Sequence, residues 1–279
     1  MKLIVLVDNN TLTDRYFVGE PGLSFFITDR NARILFDTGY SNIFITNAIK
    51  LNINLLNLTH VALSHGHIDH VGGMQSLISL YTEANIEGKK WRKPSLVTHP
   101  LSLAQKILPG IGSIGQSLSS TIIEQYFDIE TTTEPVWITD KLAFLGQIPR
   151  TNEFESAQLM GKILNPSGNQ NDHLLDDSAL AYKAREGIVV ISGCAHSGIC
   201  NTIQHAQNVC NEERVIDVIG GMHMLNASND RLLSTRLFLS KLNLNKLHPC
   251  HCTDLQAKIA LSKGLNIFEV GVGTTIFYK

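Results

Sequence analysis

The stretch His65-Gly66-His67-Ile68-Asp69-His70 places three imidazoles and one carboxylate within six residues, directly after the apolar run Val61-Ala62-Leu63-Ser64. Core packing does not explain this density, because histidine is only occasionally fully buried and aspartate almost never is unless it is paired. Neutral imidazole and carboxylate are ligands that Zn²⁺ binds in proteins. In a regular strand, positions 65, 67 and 69 would share one face and position 70 would point away. We therefore expect a strand, a turning loop that presents metal ligands, and a helix; a capped polar turn is the alternative.

His-x-His-x-Asp-His after a strand resembles the signature of the metallo-β-lactamase superfamily. The Asp-Thr-Gly turn within Ile34–Gly39 is similar to the turn that precedes this signature there, and Gly193–Gly198 and Pro249–Thr253 supply histidines after apolar runs. Three more stretches resemble a branch of metal-dependent hydrolases that includes a dihydropterin-forming synthase of methanopterin biosynthesis: Leu145–Arg150, Asp176–Leu180 and Gly220–His223. The resemblance implies an α+β fold, an αββα sandwich in which two packed sheets carry helices outside.

Composition is that of an ordinary globular enzyme. The chain has 279 residues, 43% of them hydrophobic, which is enough for a substantial core, and no linker divides it. We expect one domain over residues 1–279.

The net charge of −2 gives no general attraction for nucleic acid or an anionic membrane. The segment Met1–Asp8 is too short an apolar run for a signal peptide, and no stretch reaches the ~18 apolar residues of a membrane span. Five cysteines without a secretion signal favour reduced thiols, a soluble protein and the cytoplasm.

Strand-like and helical patterns alternate along the chain. The segment Leu101–Leu108 has a helical pattern, whereas Gly146–Asp177 is rich in Asn, Gly, Pro and Gln and has little periodicity. A loop of that length in a compact domain is usually functional or mobile. The remaining patterns predict strands at Lys2–Val7, Leu23–Thr28, Arg33–Phe36, His60–Ser64, Ser95–Thr98, Val136–Thr139, Leu142–Leu145, Ala179–Lys183, Ile188–Ser192, Val215–Ile219, Lys246–Pro249, Asn266–Val270 and Thr275–Tyr278, and helices at Ile43–Lys50, from Val71, Ile199–Val209, Arg231–Leu242 and Asp254–Lys263.

The resemblance also implies a set of metal ligands. One ion would be held by His65, His67 and His196, and a second by Asp69, His70 and His251. One or two ions are expected, with Zn²⁺ as the first choice and Fe or Mn as alternatives, because an imidazole-rich set with one carboxylate suits all three metals.

Asp37 lies in the turn before the signature. It suits a carboxylate that orients a ligating imidazole without touching the ion. An ordinary turn aspartate is the equally weighted alternative.

One departure from the superfamily pattern concerns the residue that bridges the ions. The usual pattern has a histidine before a strand hairpin and a bridging aspartate after it. Here Gly193-Cys194-Ala195-His196 follows the strand and contains no aspartate. His196 is therefore either the third histidine of the first ion or a replacement in the bridging region. In the second case solvent or Asp177 would have to bridge, and the second ion would bind more weakly because two dications repel each other.

Further candidates lie outside the ligand set. Asp69 and His223 are the candidate catalytic residues; His223 would bind metal or protonate a leaving group, and a loop histidine bonded to the backbone is the alternative. Arg150 and Asp177 are the candidate substrate-binding residues, because arginine binds phosphate with two hydrogen bonds. The five cysteines are interpreted as buried thiols.

The sequence thus predicts a metal-dependent hydrolase that uses a metal-bound hydroxide on a small phosphodiester, ester or lactone. The branch resemblance offers a synthase that condenses a pterin with an aminobenzene ribofuranosyl phosphate as the alternative. A non-enzymatic sensor that retains the metal pocket is the third. The expected partner is a small anionic molecule, with no nucleic acid and no membrane, and the oligomeric state is left open.

Overall fold

Two large β-sheets pack face to face in the computed structural model, which describes residues 1–155, 159–165 and 167–279. Strands and helices are numbered in chain order. Within the described residues the first sheet has seven strands, in the spatial order β17 (Thr275–Phe277), β1 (Lys2–Val7), β2 (Ser24–Asp29), β3 (Ala32–Phe36), β4 (His60–Leu63), β5 (Ser95–Thr98) and β8 (Asp128–Thr131). Strands β1, β2 and β3 form an antiparallel meander, and β3, β4, β5 and β8 run parallel.

The second sheet carries the later part of the chain. Its six described strands have the order β16 (Lys246–Cys250), β15 (Val215–Gly221), β14 (Gly187–Ser192), β13 (Ala179–Ala184), β10 (Leu142–Phe144) and β9 (Val136–Trp137). The hairpin of β13 and β14 is antiparallel and pairs Ala179 with Ser192, whereas β14, β15 and β16 run parallel.

A third, small sheet joins the middle of the chain to the segment after Gly146. In the described part of the chain it contains β12 (Gln170–Asn171), β11 (Lys162–Ile163), β6 (Lys106–Leu108) and β7 (Gly112–Ser113). The α-helices that the structure describes are α1 (Ile43–Lys50), α2 (Ile68–Val71), α3 (Met74–Ile86), α4 (Ser120–Tyr126), α5 (Ile199–Cys210), α6 (Asn229–Lys241) and α7 (Leu255–Leu261). None of the helices in the described ranges is long and apolar enough to cross a membrane.

The burial of β14 shows how the layers are assembled. Every residue of this strand is buried. Val189 and Ile191 belong to the core between the two sheets, with residues of β1, β2 and β3, whereas Ile188 and Val190 pack with α5 on the outer side. Alternate residues of a strand face opposite sides of a sheet, so this strand is covered on both. Helices α1 and α3 cover the outer face of the first sheet in the same way. The predicted αββα sandwich of the α+β class is confirmed.

Three element predictions need correction. Leu101–Leu108 is not a helix: it contains a 3₁₀ turn, Pro100–Leu103, and then strand β6, because pairing with β11 decides its conformation. The helix predicted from Val71 is interrupted at Gly72–Gly73 and resumes as α3. The segment Asn266–Val270 forms one isolated bridge instead of a strand. Local pattern is a weak guide wherever tertiary pairing overrides it.

Candidate metal centre

Candidate site residues meet where parallel strands of both large sheets end. His65 follows β4, His196 follows β14, and His251 follows β16 directly. In sheets of parallel strands, ligands bind in the crevice beyond the carboxyl ends of the strands. Here two such edges face each other, so loops far apart in sequence converge on one place.

The first group of ligand candidates contains His65, His67 and His196. The Nε2 atoms of His65 and His196 lie 3.2 Å apart, and the ring of His67 is centred 4.6 Å from the ring of His65 and 4.9 Å from that of His196. Two nitrogens on one tetrahedral Zn²⁺ would be about 3.3 Å apart, given bonds of 2.0–2.1 Å. The Nε2 atom of His67 is buried and has no hydrogen-bond partner among the described residues. The spacing and this unpaired nitrogen both fit a metal ion.

The surroundings keep this group neutral. Burial lowers the pKa of His65 and of His196 well below 6.5, and the neighbouring imidazoles lower it further. Burial, followed by the nearby Lys106 ammonium, lowers the pKa of His67 to about 4. At neutral pH the three rings are therefore uncharged, which is the form that binds a metal ion.

The second group contains Asp69, His70 and His251. The Nε2 atoms of the two histidines lie 3.1 Å apart, and Asp69 Oδ2 lies 3.7 Å from His70 Nε2 and 3.4 Å from His251 Nε2. Burial by itself would lower the pKa of His70, but the carboxylates of Asp69 and Asp37 outweigh it and raise this pKa to about 9. A dication bound here would replace the proton that His70 otherwise shares with these carboxylates.

Asp37 lies behind His70 and is fully buried. Its Oδ2 atom is 2.7 Å from His70 Nδ1, and its carboxylate also accepts hydrogen bonds from the Ser64 backbone and hydroxyl, both at 2.7 Å. This contact leaves His70 Nε2 directed at His251. On the other side Asp8, which sequence reasoning missed, accepts a 2.8 Å hydrogen bond from the His251 backbone, and Asn9 Oδ1 lies 3.2 Å from His251 Nδ1. A carboxylate of this kind fixes the orientation of a ligating group.

Two cysteines and His223 form a sulfur-containing side of the centre. The Sγ atoms of Cys194 and Cys252 lie 3.1 Å apart, Cys194 Sγ lies 3.6 Å from His223 Nδ1, and the His223 backbone donates to Cys252 Sγ at 3.1 Å. The hydrogen bond between the sulfurs raises the pKa of Cys194; for Cys252 this bond and His251 overcome burial and lower the pKa. Sequence reasoning interpreted both as buried thiols, although each lies within two residues of a ligand candidate.

The backbone at this edge is held in an unusual conformation. Four residues that flank or belong to the site have positive φ: Asp37 (58°), Ala195 (56°), His223 (49°) and His251 (52°). Side chains other than glycine rarely adopt this region, and such strain persists where the surroundings enforce it, often at functional sites. Gly221 completes the packing, because a Cβ atom there would lie 2.5 Å from a backbone oxygen and 2.7 Å from Cys252 Sγ.

Arg150 and Asp177 lie beside the loop that carries His196. The Arg150 guanidinium donates to the Leu174 carbonyl at 2.8 Å and to the Ser197 hydroxyl at 3.4 Å. The Asp177 carboxylate accepts from the Ser197 backbone at 2.7 Å, and burial raises its pKa to about 6. Both residues contact the loop that carries His196. That they contact substrate, and that Asp177 takes part in the bridge, stay predictions. His196 joins His65 and His67 rather than the bridging region.

A cavity of about 710 Å³ opens onto both ligand groups. Asp69, His223 and His251 lie in its wall, and Lys258 is its cationic residue among the described lining. Met160, from the irregular segment after Gly146, contributes to the wall as well. The other apolar lining residues are Pro21, Ile68, Leu108, Ile114, Leu225 and Leu255. Such a cavity suits a small molecule with an apolar body and an anionic group.

Sequence comparison agrees with this geometry. The family model of the metallo-beta-lactamase superfamily matches residues 18–207, so the chain belongs to that superfamily of metal-binding enzymes. A curated relative from Methanocaldococcus jannaschii, 7,8-dihydropterin-6-methyl-4-(beta-D-ribofuranosyl)-aminobenzene-5'-phosphate synthase, is 28% identical over 266 residues, which cover 92% of this chain and 89% of the relative. A second, uncharacterised protein of the same organism is 28% identical over 269 residues, or 96% of each chain.

Comparison of structures gives the same fold. The crystal structure of Tm1679, a metal-dependent hydrolase of the beta-lactamase superfamily, superposes with a TM-score of 0.82 at 27% identity and covers 99% of this chain and 98% of that one. The metallo-beta-lactamase fold protein YhfI from Bacillus subtilis superposes at 0.58 with 11% identity, covering 99% of this chain and 98% of that chain, which is a likeness of fold.

Proposed function

We propose that this protein is a metal-dependent hydrolase of a small anionic phosphodiester, ester or lactone. The observation that carries the proposal is the pair of histidine contacts, 3.2 Å and 3.1 Å between Nε2 atoms, each with one member, His196 or His251, in the wall of one cavity. His65, His67 and His196 would hold one ion, and Asp69, His70 and His251 the other. Zn²⁺ is the expected metal, with Fe or Mn as alternatives, because imidazole-rich sites suit all three.

Divalent ions in such a site polarise a substrate oxygen and activate water. The chain's own residues would position the other groups. Asp69 lies in the cavity wall with 34% of its side chain exposed, so its free carboxylate edge can accept a proton from the attacking water. His223 lies on the sulfur-containing side, where its ring can donate a proton to a leaving group. Lys258 would bind the anionic part of the substrate.

Elemental analysis and a substrate panel test this proposal. Protein purified without chelator should contain one to two equivalents of transition metal and hydrolyse one of a phosphodiester, an ester and a lactone. His65→Ala and His67→Ala should remove one ion, whereas Asp69→Ala and His251→Ala should weaken the other. Protein that lacks metal and also rejects added metal would refute the proposal. Equal loss of all metal from every variant would indicate one site with a mixed ligand set.

A second candidate is a synthase, and the 28% identity to the M. jannaschii dihydropterin synthase over 92% of this chain favours it. The same ligands and Lys258 would then serve condensation of a pterin with an aminobenzene ribofuranosyl phosphate. Incubation with both substrates and mass analysis of the product separates the candidates. If the protein forms the condensed product and hydrolyses none of the panel substrates, the result favours the synthase.

We further propose a single domain and a cytoplasmic location without nucleic-acid or membrane partners. The halves of the chain share one core between the two sheets, since residues of β1 and β14 pack together there. All five cysteines are free thiols, as a reducing compartment would keep them. Partial proteolysis that released a stable half would contradict the first proposal, and export of the tagged protein would contradict the second.

A further inference from the structure

One sulfur atom lies close to both histidine pairs. Cys194 Sγ is within 4.8 Å of the ligand nitrogens of His65 and His196, and it is also within 4.8 Å of those of His70 and His251. The Asp69 carboxylate also lies near both ligand groups, within 4.8 Å of His65 and His67 and 3.4 Å from His251 Nε2, but among the described residues only Cys194 groups with His196 as well as with His70 and His251. Cys194 is 4% exposed and lines the cavity, so its thiol is largely enclosed with the imidazoles.

The ligand candidates include few negative charges, which leaves room for a further anion such as the sulfur of Cys194. Five of the six ligand candidates are imidazoles, and Asp69 is the carboxylate among them. Two dications in a partly buried site repel each other strongly unless an anion lies between them. Asp177 belongs to none of the groups of candidate ligand atoms in the described part of the chain, and its Oδ2 accepts from the Ser197 backbone. A thiolate carries several lone pairs and can bind two ions, whereas a neutral imidazole nitrogen has one.

Two nitrogens in the same enclosure still lack partners. His67 Nε2 and His196 Nδ1 are buried and make no hydrogen bond to any described residue. His67 belongs to the group with His65 and Asp69. Because buried polar atoms normally have a hydrogen-bond partner, these nitrogens call for an atom that the described residues do not supply.

We infer that Cys194 Sγ is a metal ligand of this centre, shared between the His65–His196 pair and the His70–His251 pair, and that Cys252 holds it in place. The inference rests on the proposed metal centre but not on the reaction. Binding releases the thiol proton to solvent as the sulfur–metal bond forms, and no electron is transferred. Cys252 contacts Cys194 through its sulfur at 3.1 Å, and Gly221 leaves the space that this sulfur fills.

X-ray absorption at the zinc edge tests the assignment directly. Chelator-treated, reduced protein is reloaded with Zn²⁺, and scattering from sulfur at about 2.3 Å is measured. The wild type should show this sulfur signal together with nitrogen and oxygen ligands. Cys194→Ala should abolish it and lower the affinity for the weaker ion at least tenfold in competition with a chromophoric chelator. Cys194→Ser should lose the sulfur signal too.

Cys210→Ala is the matched control, because this buried thiol lies at the end of α5, outside the centre. It should keep the sulfur signal and both affinities. Bound zinc without sulfur scattering in the wild type would overturn the inference even if no variant folds, and it would leave the proposed metal-dependent function standing. A signal that survives Cys194→Ala but not Cys252→Ala would overturn it in favour of Cys252. Failure of the wild type to bind zinc would count against both proposals.

Discussion

Asp37 contacts no substrate-facing surface, yet it orients one side of the centre. Its carboxylate lies 2.7 Å from His70 Nδ1 and accepts two hydrogen bonds from Ser64 at the end of β4. It therefore couples the ring of one ligand candidate to the strand that carries the signature. The left-handed backbone at this residue, with φ of 58°, is maintained by these contacts.

Asp37→Asn should weaken metal binding without unfolding the protein. The amide cannot hold the His70 ring as a carboxylate does, and loss of such a partner typically costs about 10- to 100-fold in metal affinity. We expect the loss in the ion bound by Asp69, His70 and His251, measured by chelator competition. Asp128→Asn, an exposed carboxylate beside Lys93, is the control. Unchanged affinities in Asp37→Asn would show that the contact is dispensable.

Lys258 and Arg150 can be separated by kinetics. Lys258 lies in the cavity wall, whereas the Arg150 guanidinium bonds a carbonyl and a hydroxyl behind the His196 loop. Lys258→Ala should raise KM for an anionic model substrate such as bis(para-nitrophenyl) phosphate several-fold and leave metal content intact. Arg150→Ala should lower stability by about 1 kcal/mol, the usual value of a hydrogen bond. A KM increase confined to Arg150→Ala would reverse this assignment.

At the scale of elements, a buried charged cluster ties the small sheet to the loop of the signature. Lys106 of β6 is completely buried and lies 3.0 Å from Asp172 and 2.8 Å from Asp176. Asp176 also accepts a 2.8 Å hydrogen bond from the backbone of Gly66, between His65 and His67. The cluster therefore positions the first histidine group from outside the site.

Replacement of the cation should be costly. Lys106→Met leaves two carboxylates buried without their partner, and breaking a buried ion pair on one side destabilises proteins by about 3–5 kcal/mol. We expect a loss of this size in the free energy of unfolding, measured in urea. Lys162→Met on the neighbouring strand β11 is the control, because Lys162 is exposed. A loss below about 1 kcal/mol would mean that the cluster contributes little.

The same cluster predicts the behaviour of the protein in acid. Burial would raise the pKa of Asp176, but Lys106 and the Gly66 backbone outweigh it and hold this pKa below 3.8. The unfolded chain therefore takes up the proton at higher pH than the folded protein does. The stabilisation is complete above pH 3.8 and is lost as the pH falls through the lowered pKa. In metal-free protein, Asp176→Asn should flatten this part of the melting-temperature profile; an unchanged slope would assign the acid sensitivity to other groups.

At the scale of the whole molecule, the centre joins the two sheets. His65 and His70 come after strand β4 of the first sheet, whereas His196 and His251 come after strands β14 and β16 of the second. Ions bound there would cross-link both halves in the folded state, and they would find no such arrangement in the unfolded chain.

Removal of metal should therefore lower the melting temperature. A ligand that binds only the folded state at 1,000 times its Kd adds about 4 kcal/mol. Treatment with a chelator should reduce the melting temperature by several degrees, and added Zn²⁺ should restore it. A variant with both His65→Ala and His251→Ala should show no such response. If chelator lowered the melting temperature of that variant as much as that of the wild type, the stabilising ion would have to bind elsewhere.

Much of the fold followed from local pattern. The apolar run before His65 and the ligands within the six-residue signature are adjacent in sequence, so spacing alone identified them, and the family resemblance supplied the sandwich. Strand β1 and helix α1 were predicted at their observed bounds because their periodicity is complete within one element. Leu101–Leu108 was not, since its conformation depends on pairing with β11, which comes more than fifty residues later.

What the sequence by itself determined is the chemistry of the ligand candidates and the class of fold. The tertiary structure decided which distant groups meet: His65 with His196, Cys194 with Cys252, and Arg150 with Leu174 instead of the cavity. The physical reason is that parallel pairing of β14, β15 and β16 brings the ends of three separate strands to one edge. No local pattern encodes that register, so the sulfur-containing side of the centre emerged only once the strands were paired.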